Sequence, residues 1–356
     1  MNKEADKKRN PRLIALSRAG YRALEKNMLA EAGAYFDQML EIDSRNSYAL
    51  VGKGELARKL RDLPGALQFY QTCLQHEPEN AFALKLAAEC SWEMENYQRS
   101  VELWESYLRV KGPEAMALSH VADGCRKLGD HGRSESAYRQ ALGMEPDNRY
   151  ALNGLGNLLY ELARYEEAEQ CWERLVARDR SNVRALTALG NCRRKLRDFP
   201  GAFAHFTAAV SLEKDNFYAR YGIADCLRGM GDHERSLEAW EGLLSLSPDN
   251  KIVLTRAGDA CRKIGELQQA ESYYRKALDG GFDLYAEIGM SSLRMIHGDI
   301  DGAVERLLEL RKREPLNARV VQELADCYTA SEDPDSAAAL LEEFRRQGGK
   351  LASQES

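Results

Sequence analysis

Residues 47–80 read SYALVGKGELARKLRDLPGALQFYQTCLQHEPEN, and residues 183–216 read VRALTALGNCRRKLRDFPGAFAHFTAAVSLEKDN. Both stretches have Leu at position 4, Gly at position 8, Ala at position 20 and an aromatic residue at position 24. The separation of their first residues, Ser47 and Val183, is four times the length of either stretch. A fixed period of this size indicates an array of helical repeats.

The same pattern divides most of the chain into ten successive segments. Only the eighth segment departs from the common length, because it is shorter by a single position at Gly280–Gly281. We expect one uninterrupted array between a polar N-terminal tail, 1–12, and a short C-terminal tail, 352–356. The predicted repeats are 13–46, 47–80, 81–114, 115–148, 149–182, 183–216, 217–250, 251–283, 284–317 and 318–351.

Each repeat is predicted to fold as two helices separated by a turn. In the turn at Gly129-Asp130, Gly suits the left-handed end of one helix and Asp suits the N-cap of the next. Gly231-Asp232 and Gly298-Asp299 follow the same rule. Pro64 and Pro200 fall just inside second helices, where a missing N–H is tolerated.

The repeats resemble the tetratricopeptide repeat family, whose motif has small, aromatic and proline residues at this spacing. Ala66, Tyr70 and Pro78 occupy those positions in residues 47–80. The resemblance extends from residue 13 to about 351. It implies an all-α fold, a right-handed superhelical solenoid of antiparallel helix hairpins whose first helices line the concave side. It also implies a function in binding other proteins.

The composition favours protein partners over nucleic acid or membrane. The net charge of −6 is too mild to indicate a nucleic-acid surface, and no run of eighteen apolar residues exists. No apolar segment follows the polar N-terminus, so we expect a cytoplasmic protein, although a leader removed earlier would leave no trace. Six cysteines recur at one place in successive repeats, which we interpret as small buried residues in a reducing compartment: Cys90, Cys125, Cys192, Cys226, Cys261 and Cys327.

Motifs that carry enzyme chemistry do not occur in the sequence. The six histidines form no HExxH and none pairs with Cys at metal-ligand spacing. Trp104, Trp172 and Trp240 occupy the core aromatic position of their repeats, so we assign them to packing. We therefore predict no enzyme activity, no metal and no cofactor. A catalytic role hidden in the groove would need a concave cluster of titratable groups.

The resemblance places the binding groove on particular positions of each repeat. Position 2 gives aromatic residues, position 9 gives polar residues, and positions 12 and 13 give basic pairs in alternate repeats. The candidate groove residues are Tyr48, Arg58, Lys59, Phe82, Asp123, Arg126, Lys127, Tyr150, Asn157, Asn191, Arg194, Lys195, Tyr218, Asp259, Arg262 and Lys263. Such a groove would hold an acidic, extended or helical segment of another protein.

A second interpretation of the charged positions stays open. Asp123 lies three residues before Arg126, and Asp259 lies three residues before Arg262. Pairs at this spacing can simply belong to the solvated face of a helix, where each contributes about 0.3–0.5 kcal/mol.

A longer period, four repeats in length, links the two halves of the chain. Residues 58–62 read RKLRD and recur at residues 194–198, and Cys125-Arg126-Lys127 recurs as Cys261-Arg262-Lys263. We infer duplication of a block of four repeats, which would give two similar surfaces. The alternative is chance similarity among repeats under one folding constraint.

The leading functional hypothesis is a scaffold or adaptor that binds another protein, and the alternative is a homo-oligomer. Solenoids normally end in a polar capping element, which covers the apolar face of the last repeat. Here only a short polar tail follows the final helix. We therefore predict self-association through Leu340, Leu341 and Phe344.

Overall fold

The structure is a computed structural model that describes residues 10–350, and all regular secondary structure in that range is α-helical. The chain divides after Arg180 into two compact units. The N-terminal unit contains α1 (Pro11–Glu25), α2 (Leu29–Ile42), α3 (Ser47–Lys59), α4 (Leu63–His76), α5 (Ala81–Glu93), α6 (Tyr97–Lys111), α7 (Ala115–Lys127), α8 (His131–Met144), α9 (Arg149–Glu161) and α10 (Tyr165–Arg178).

The C-terminal unit begins at Ser181 and also contains ten helices within the described range. They are α11 (Val183–Lys195), α12 (Phe199–Leu212), α13 (Phe217–Gly229), α14 (His233–Leu244), α15 (Lys251–Ile264), α16 (Leu267–Asp279), α17 (Leu284–Ile296), α18 (Ile300–Arg313), α19 (Ala318–Ala330) and α20 (Pro334–Arg346). The prediction of an all-α fold of paired helices is confirmed. No helix between residues 10 and 350 offers the length of apolar sequence that a bilayer crossing requires.

The predicted turn chemistry is present at the helix ends. Gly129 has a φ of 77°, and the Asp130 side chain accepts a hydrogen bond from the Arg133 N–H at 3.1 Å. Only glycine adopts this φ without a steric cost, and the Asp oxygen satisfies an N–H that the first turn leaves free. Gly231-Asp232 and Gly298-Asp299 repeat the arrangement.

In some repeats, the aromatic residue of the second helix packs between two glycines on neighbouring first helices. Phe206 of α12 lies between Gly190 of α11 and Gly222 of α13, where a Cβ on either glycine would come within 2.7 Å of the ring. Phe36 lies between Gly20 and Gly52 in the same way. The absence of a side chain lets the helices approach, so each ring fills the core of its own repeat and of the next.

Small and aromatic residues fill the rest of the core as predicted. Trp104, Trp172 and Trp240 are buried. The Ser236 hydroxyl replaces the usual methyl group and donates to the Ala224 carbonyl at 3.0 Å, which satisfies a buried polar atom. All eight cysteines are buried and none forms a disulfide within residues 10–350, and burial raises the pKa of Cys261 to about 11.

Candidate functional site

The aromatic residues at position 2 are exposed on the first helices of both units. Tyr48, Phe82 and Tyr150 are 67, 77 and 50% exposed, and Tyr218 is 78% exposed. Each follows an Asn cap by two residues and precedes a fully buried Ala, as Tyr48 follows Asn46 and precedes Ala49. The buried Ala fixes the rotation of the helix, so the preceding side chain points away from the core.

Further repeats place large apolar side chains at the same position. Met116, Ile252 and Tyr285 are each at least 45% exposed, and none of them is among the residues predicted from the sequence. Met116 and Ile252 are not aromatic, whereas Tyr285 is an aromatic residue that the prediction missed. We name the set Tyr48, Phe82, Met116 and Tyr150 the N-terminal row. We name the set Tyr218, Ile252 and Tyr285 the C-terminal row.

A cavity of about 650 Å³ adjoins the N-terminal row, between α1, α3 and α5. The Tyr21 hydroxyl donates to the Tyr48 carbonyl at 3.0 Å and links α1 to α3 at one wall. Glu55 lies half-buried in the lining, and burial raises the pKa of its carboxyl. The lining consists of Ser17, Arg18, Tyr21, Ser47, Tyr48, Val51, Glu55, Glu77, Asn80, Phe82 and Leu86.

The arginines of the basic pairs are engaged within the protein. Arg58 forms ion pairs with Glu89 at 3.1 Å and with Glu93 at 2.5 Å, both on the first helix of the next repeat. The corresponding pairs elsewhere are Arg126–Glu161 and Arg194–Asp225, both at 2.6 Å. Arg262 is half-buried beside Tyr274. The lysines of the pairs are exposed instead: Lys59, Lys127, Lys195 and Lys263.

Two of the acidic residues at position 9, Asp123 and Asp259, are buried and hydrogen-bonded. Asp123 accepts hydrogen bonds from the hydroxyls of Tyr138 and Tyr150. Asp259 accepts from the Tyr274 hydroxyl at 2.9 Å and from the Arg319 guanidinium at 3.2 Å. The interpretation of these two acids as members of solvated i,i+3 pairs is therefore wrong, because both carboxylates are buried and accept hydrogen bonds from tyrosine hydroxyls on other helices.

The remaining polar candidates at position 9 are two asparagines, which have fewer hydrogen-bond partners than Asp123 and Asp259. Asn157 of α9 and Asn191 of α11 are half-buried. The Asn191 side-chain oxygen accepts a long hydrogen bond from Arg194 at 3.4 Å. At Asp225, burial alone would raise the carboxyl pKa, but the adjacent guanidinium groups of Arg228 and Arg194 lower it below its usual value.

Some contacts recur at the offset of four repeats. The Arg58–Glu89 pair of the N-terminal unit corresponds to the Arg194–Asp225 pair of the C-terminal unit. The Asp123–Tyr138 hydrogen bond corresponds in the same way to Asp259–Tyr274. The two units therefore carry similar first-helix surfaces, whichever origin the longer period has.

The predicted self-association surface on α20 needs correction. Leu340 and Phe344 are buried in the core of the last repeats, and Leu341 packs against its edge. Gly348 turns the chain with a φ of 85°, and Gly349 then lies so close to the Phe344 ring that a Cβ there would overlap it. Gly349 thus covers the ring that the sequence suggested would be open.

Comparison with known proteins supports the repeat assignment. Two family models match the chain, and each is described as tetratricopeptide repeat. One matches residues 126–192 and 294–351, and the other matches residues 221–283. A search of curated proteins finds no significant match.

Many solved structures share the fold, including the following two. A tetratricopeptide repeat protein from Parabacteroides merdae is 16% identical, with 68% of this chain and 97% of that chain covered and a TM-score of 0.56. The C-terminal part of a repeat-containing protein of the same kind from Cytophaga hutchinsonii is 14% identical, with 66% and 97% covered and a TM-score of 0.58. At such identities the likeness concerns the fold alone.

Proposed function

This chain belongs to the tetratricopeptide repeat family, and we propose that it is a non-enzymatic scaffold whose first helices hold a segment of another protein. The observation that carries this proposal is the exposure of the N-terminal and C-terminal rows. Seven large apolar side chains occupy position 2 in repeats two to five and seven to nine and stay open to solvent, whereas repeat six has Arg184 there. Aromatic residues and Met are enriched where proteins bind one another, since they offer a large contact area.

In this proposal, the binding energy comes mainly from apolar contacts rather than from attraction between charges. Arg58, Arg126 and Arg194 already have acidic partners within the protein, so only the neighbouring lysines remain for an acidic segment. Exposed lysine pairs contribute little because solvent screens them. We therefore expect affinity for the partner segment to change little between low and physiological salt.

Self-association through α20 is not part of this proposal. Leu340 and Phe344 are packed inside the last repeats, so Leu341 alone keeps part of the apolar surface on which that hypothesis depended. The exposed rows are the larger apolar surfaces, and a helix or extended segment with apolar side chains at regular spacing complements them.

Alanine substitution in the rows tests the proposal. Short random peptides displayed on phage are selected on the immobilised full chain, and the recovered peptides are measured by fluorescence anisotropy. Phe82→Ala and Tyr218→Ala should weaken binding by about tenfold or more at whichever row a peptide occupies. Their stability should change little, because both side chains are largely exposed.

Leu60→Ala and Leu316→Ala serve as matched controls, since both leucines are exposed apolar residues outside the rows. Peptides whose affinity is the same on wild type, Phe82→Ala and Tyr218→Ala would show that the rows are not the binding surface.

A further inference from the structure

We infer that the cavity between α1, α3 and α5 receives a basic side chain, Arg or Lys, of the bound segment. The inference rests on the proposed function, because it specifies the chemistry of one residue in the segment that the N-terminal row would hold. The cavity opens beside Tyr48 and Phe82, two members of that row.

The walls of the cavity suit the long aliphatic part of a basic side chain. Tyr48 and Phe82 are exposed at the entrance, and Val51 and Leu86 contribute apolar surface. Lys and Arg bury their methylene groups along such surface while the charged end seeks a polar partner. A cation near an aromatic face gains additional electrostatic attraction.

Glu55 supplies the polar partner. Its carboxylate is half-buried, and no hydrogen bond or ion pair to it forms within residues 10–350. Burial is the largest influence on its pKa and raises it, although the charges of Arg58 and Lys59 act in the opposite direction. Arg58 is committed to Glu89 and Glu93, so it does not neutralise Glu55 by contact.

Comparison with the repeat of Asp123 explains why Glu55 lacks a partner. Asp123 accepts from Tyr138, fifteen residues later, and from Tyr150 at position 2 of the next repeat. The counterparts of these tyrosines beside Glu55 are Tyr70 and Phe82. No hydrogen bond joins the Tyr70 hydroxyl to Glu55 in the described part of the chain, and a phenylalanine has no hydroxyl to offer.

The charges of the lining select among occupants. Two carboxylates, Glu55 and Glu77, face one guanidinium group, that of the exposed Arg18. An acidic guest would meet repulsion, and an apolar guest would desolvate Glu55 without compensating it. A basic guest replaces the lost hydration with a charge-assisted hydrogen bond. This chemistry is the opposite of the acidic segment that the basic pairs suggested.

A charge-deletion cycle tests the inference. In the tightest peptide selected on the full chain that depends on Phe82, each basic residue is replaced by citrulline for Arg or norleucine for Lys. One replacement should weaken binding to wild type by about tenfold. Glu55→Gln should weaken the original peptide similarly and remove the difference between the peptide and its uncharged form. Glu31→Gln on α2, an exposed carboxylate outside the cavity, is the control and should behave as wild type.

A second variant keeps the test independent of the folding of Glu55→Gln. Arg18→Gln removes the rival cation of the lining, so it should tighten the basic peptide by about twofold and leave its uncharged form unchanged. Circular dichroism should give Glu55→Gln a melting temperature equal to or above wild type, since the substitution removes a half-buried charge without a partner.

The outcomes separate this inference from the proposed function. Peptides that need Phe82 but tolerate loss of every basic residue would overturn the basic-residue inference and leave the binding surface intact. Peptides that ignore both rows would overturn both. A coupling between the peptide cation and Glu55, absent with Glu31→Gln, supports the inference.

Discussion

Arg194 and Lys195 are adjacent in sequence but have different surroundings. Arg194 is half-buried and pairs with Asp225 at 2.6 Å, whereas Lys195 is exposed. We predict that Arg194→Gln lowers the free energy of unfolding by about 1–3 kcal/mol, because it removes a partner of a buried carboxylate. Lys195→Gln should change it by less than about 0.5 kcal/mol. Urea unfolding followed by tryptophan fluorescence measures both.

The pH dependence of this difference follows from the lowered pKa of Asp225. A carboxyl whose folded pKa is depressed adds stability above its unfolded pKa and loses that contribution as the pH falls through the folded value. The effect of Arg194→Gln should therefore shrink in acid below the ordinary aspartate range. Equal destabilisation by the two variants at pH 7 would contradict the structural role assigned to Arg194.

The sequence predicted the position of the basic pairs. It did not predict that their arginines pair within the protein while their lysines stay exposed. Residue spacing along one helix places Asp123 near Arg126, yet the structure pairs Asp123 with Tyr138 and Tyr150. Those partners lie on other helices, and their reach depends on how closely helices approach. Spacing within a helix carries no information about that distance.

The final helix, α20, provides a prediction at the scale of a single element. Leu340 is buried in the core of the last repeats, whereas Leu341 is only partly covered. Leu340→Glu should unfold the last hairpin, since a carboxylate in an apolar core loses its hydration. Leu341→Glu should retain helicity and leave the sedimentation behaviour of wild type unchanged. Dissociation of an oligomer by Leu341→Glu, with the hairpin intact, would restore α20 as an association surface.

Helix ends show where sequence patterns succeed and where they stop. Gly129 and Asp130 predicted a turn because each residue type has a distinct role at a helix end. Ala163 and Arg197 occupy the equivalent turns with positive φ, and no glycine marks them. At α20, the covering of Phe344 by Gly349 escaped prediction because it depends on the path of the chain after the helix.

At the scale of the whole molecule, a substitution in the core of one repeat should destabilise that repeat and its neighbours more than distant repeats. Trp172 is buried in α10, and a Cβ on Gly156 of α9 would lie 2.8 Å from its ring. Trp172→Ala should cost about 3–5 kcal/mol locally and reduce hydrogen-exchange protection in α7–α10 far more than in α1–α4. Trp92→Ala, at a partly exposed site on α5, is the control. Unaltered protection in α9 and α10 would contradict the core role of Trp172.

The repeat period predicted the helix hairpins because similar residues occupy the same packing positions in each repeat. The division after Arg180 was not predicted, since the period continues through it without a break. Only some of the residues in the exposed rows were predicted. Aromatic residues indicated position 2 in four repeats, but Met116, Ile252 and Tyr285 were identified only from the exposure of their side chains.

The ring shared between two glycines also bears on how such a gene can change its length. Phe206 needs one glycine from its own repeat and one from the next, Gly190 and Gly222. Unequal crossing-over at corresponding positions of two repeats keeps each aromatic ring next to the same two positions of the neighbouring first helices. A ring that lies between two glycines in both parent sequences therefore still lies between two glycines afterwards. A crossover out of phase separates a ring from one of its flanking glycines. Genetic variants of this array should therefore gain or lose whole multiples of the period, and smaller changes should fall between hairpins, as at Gly280–Gly281.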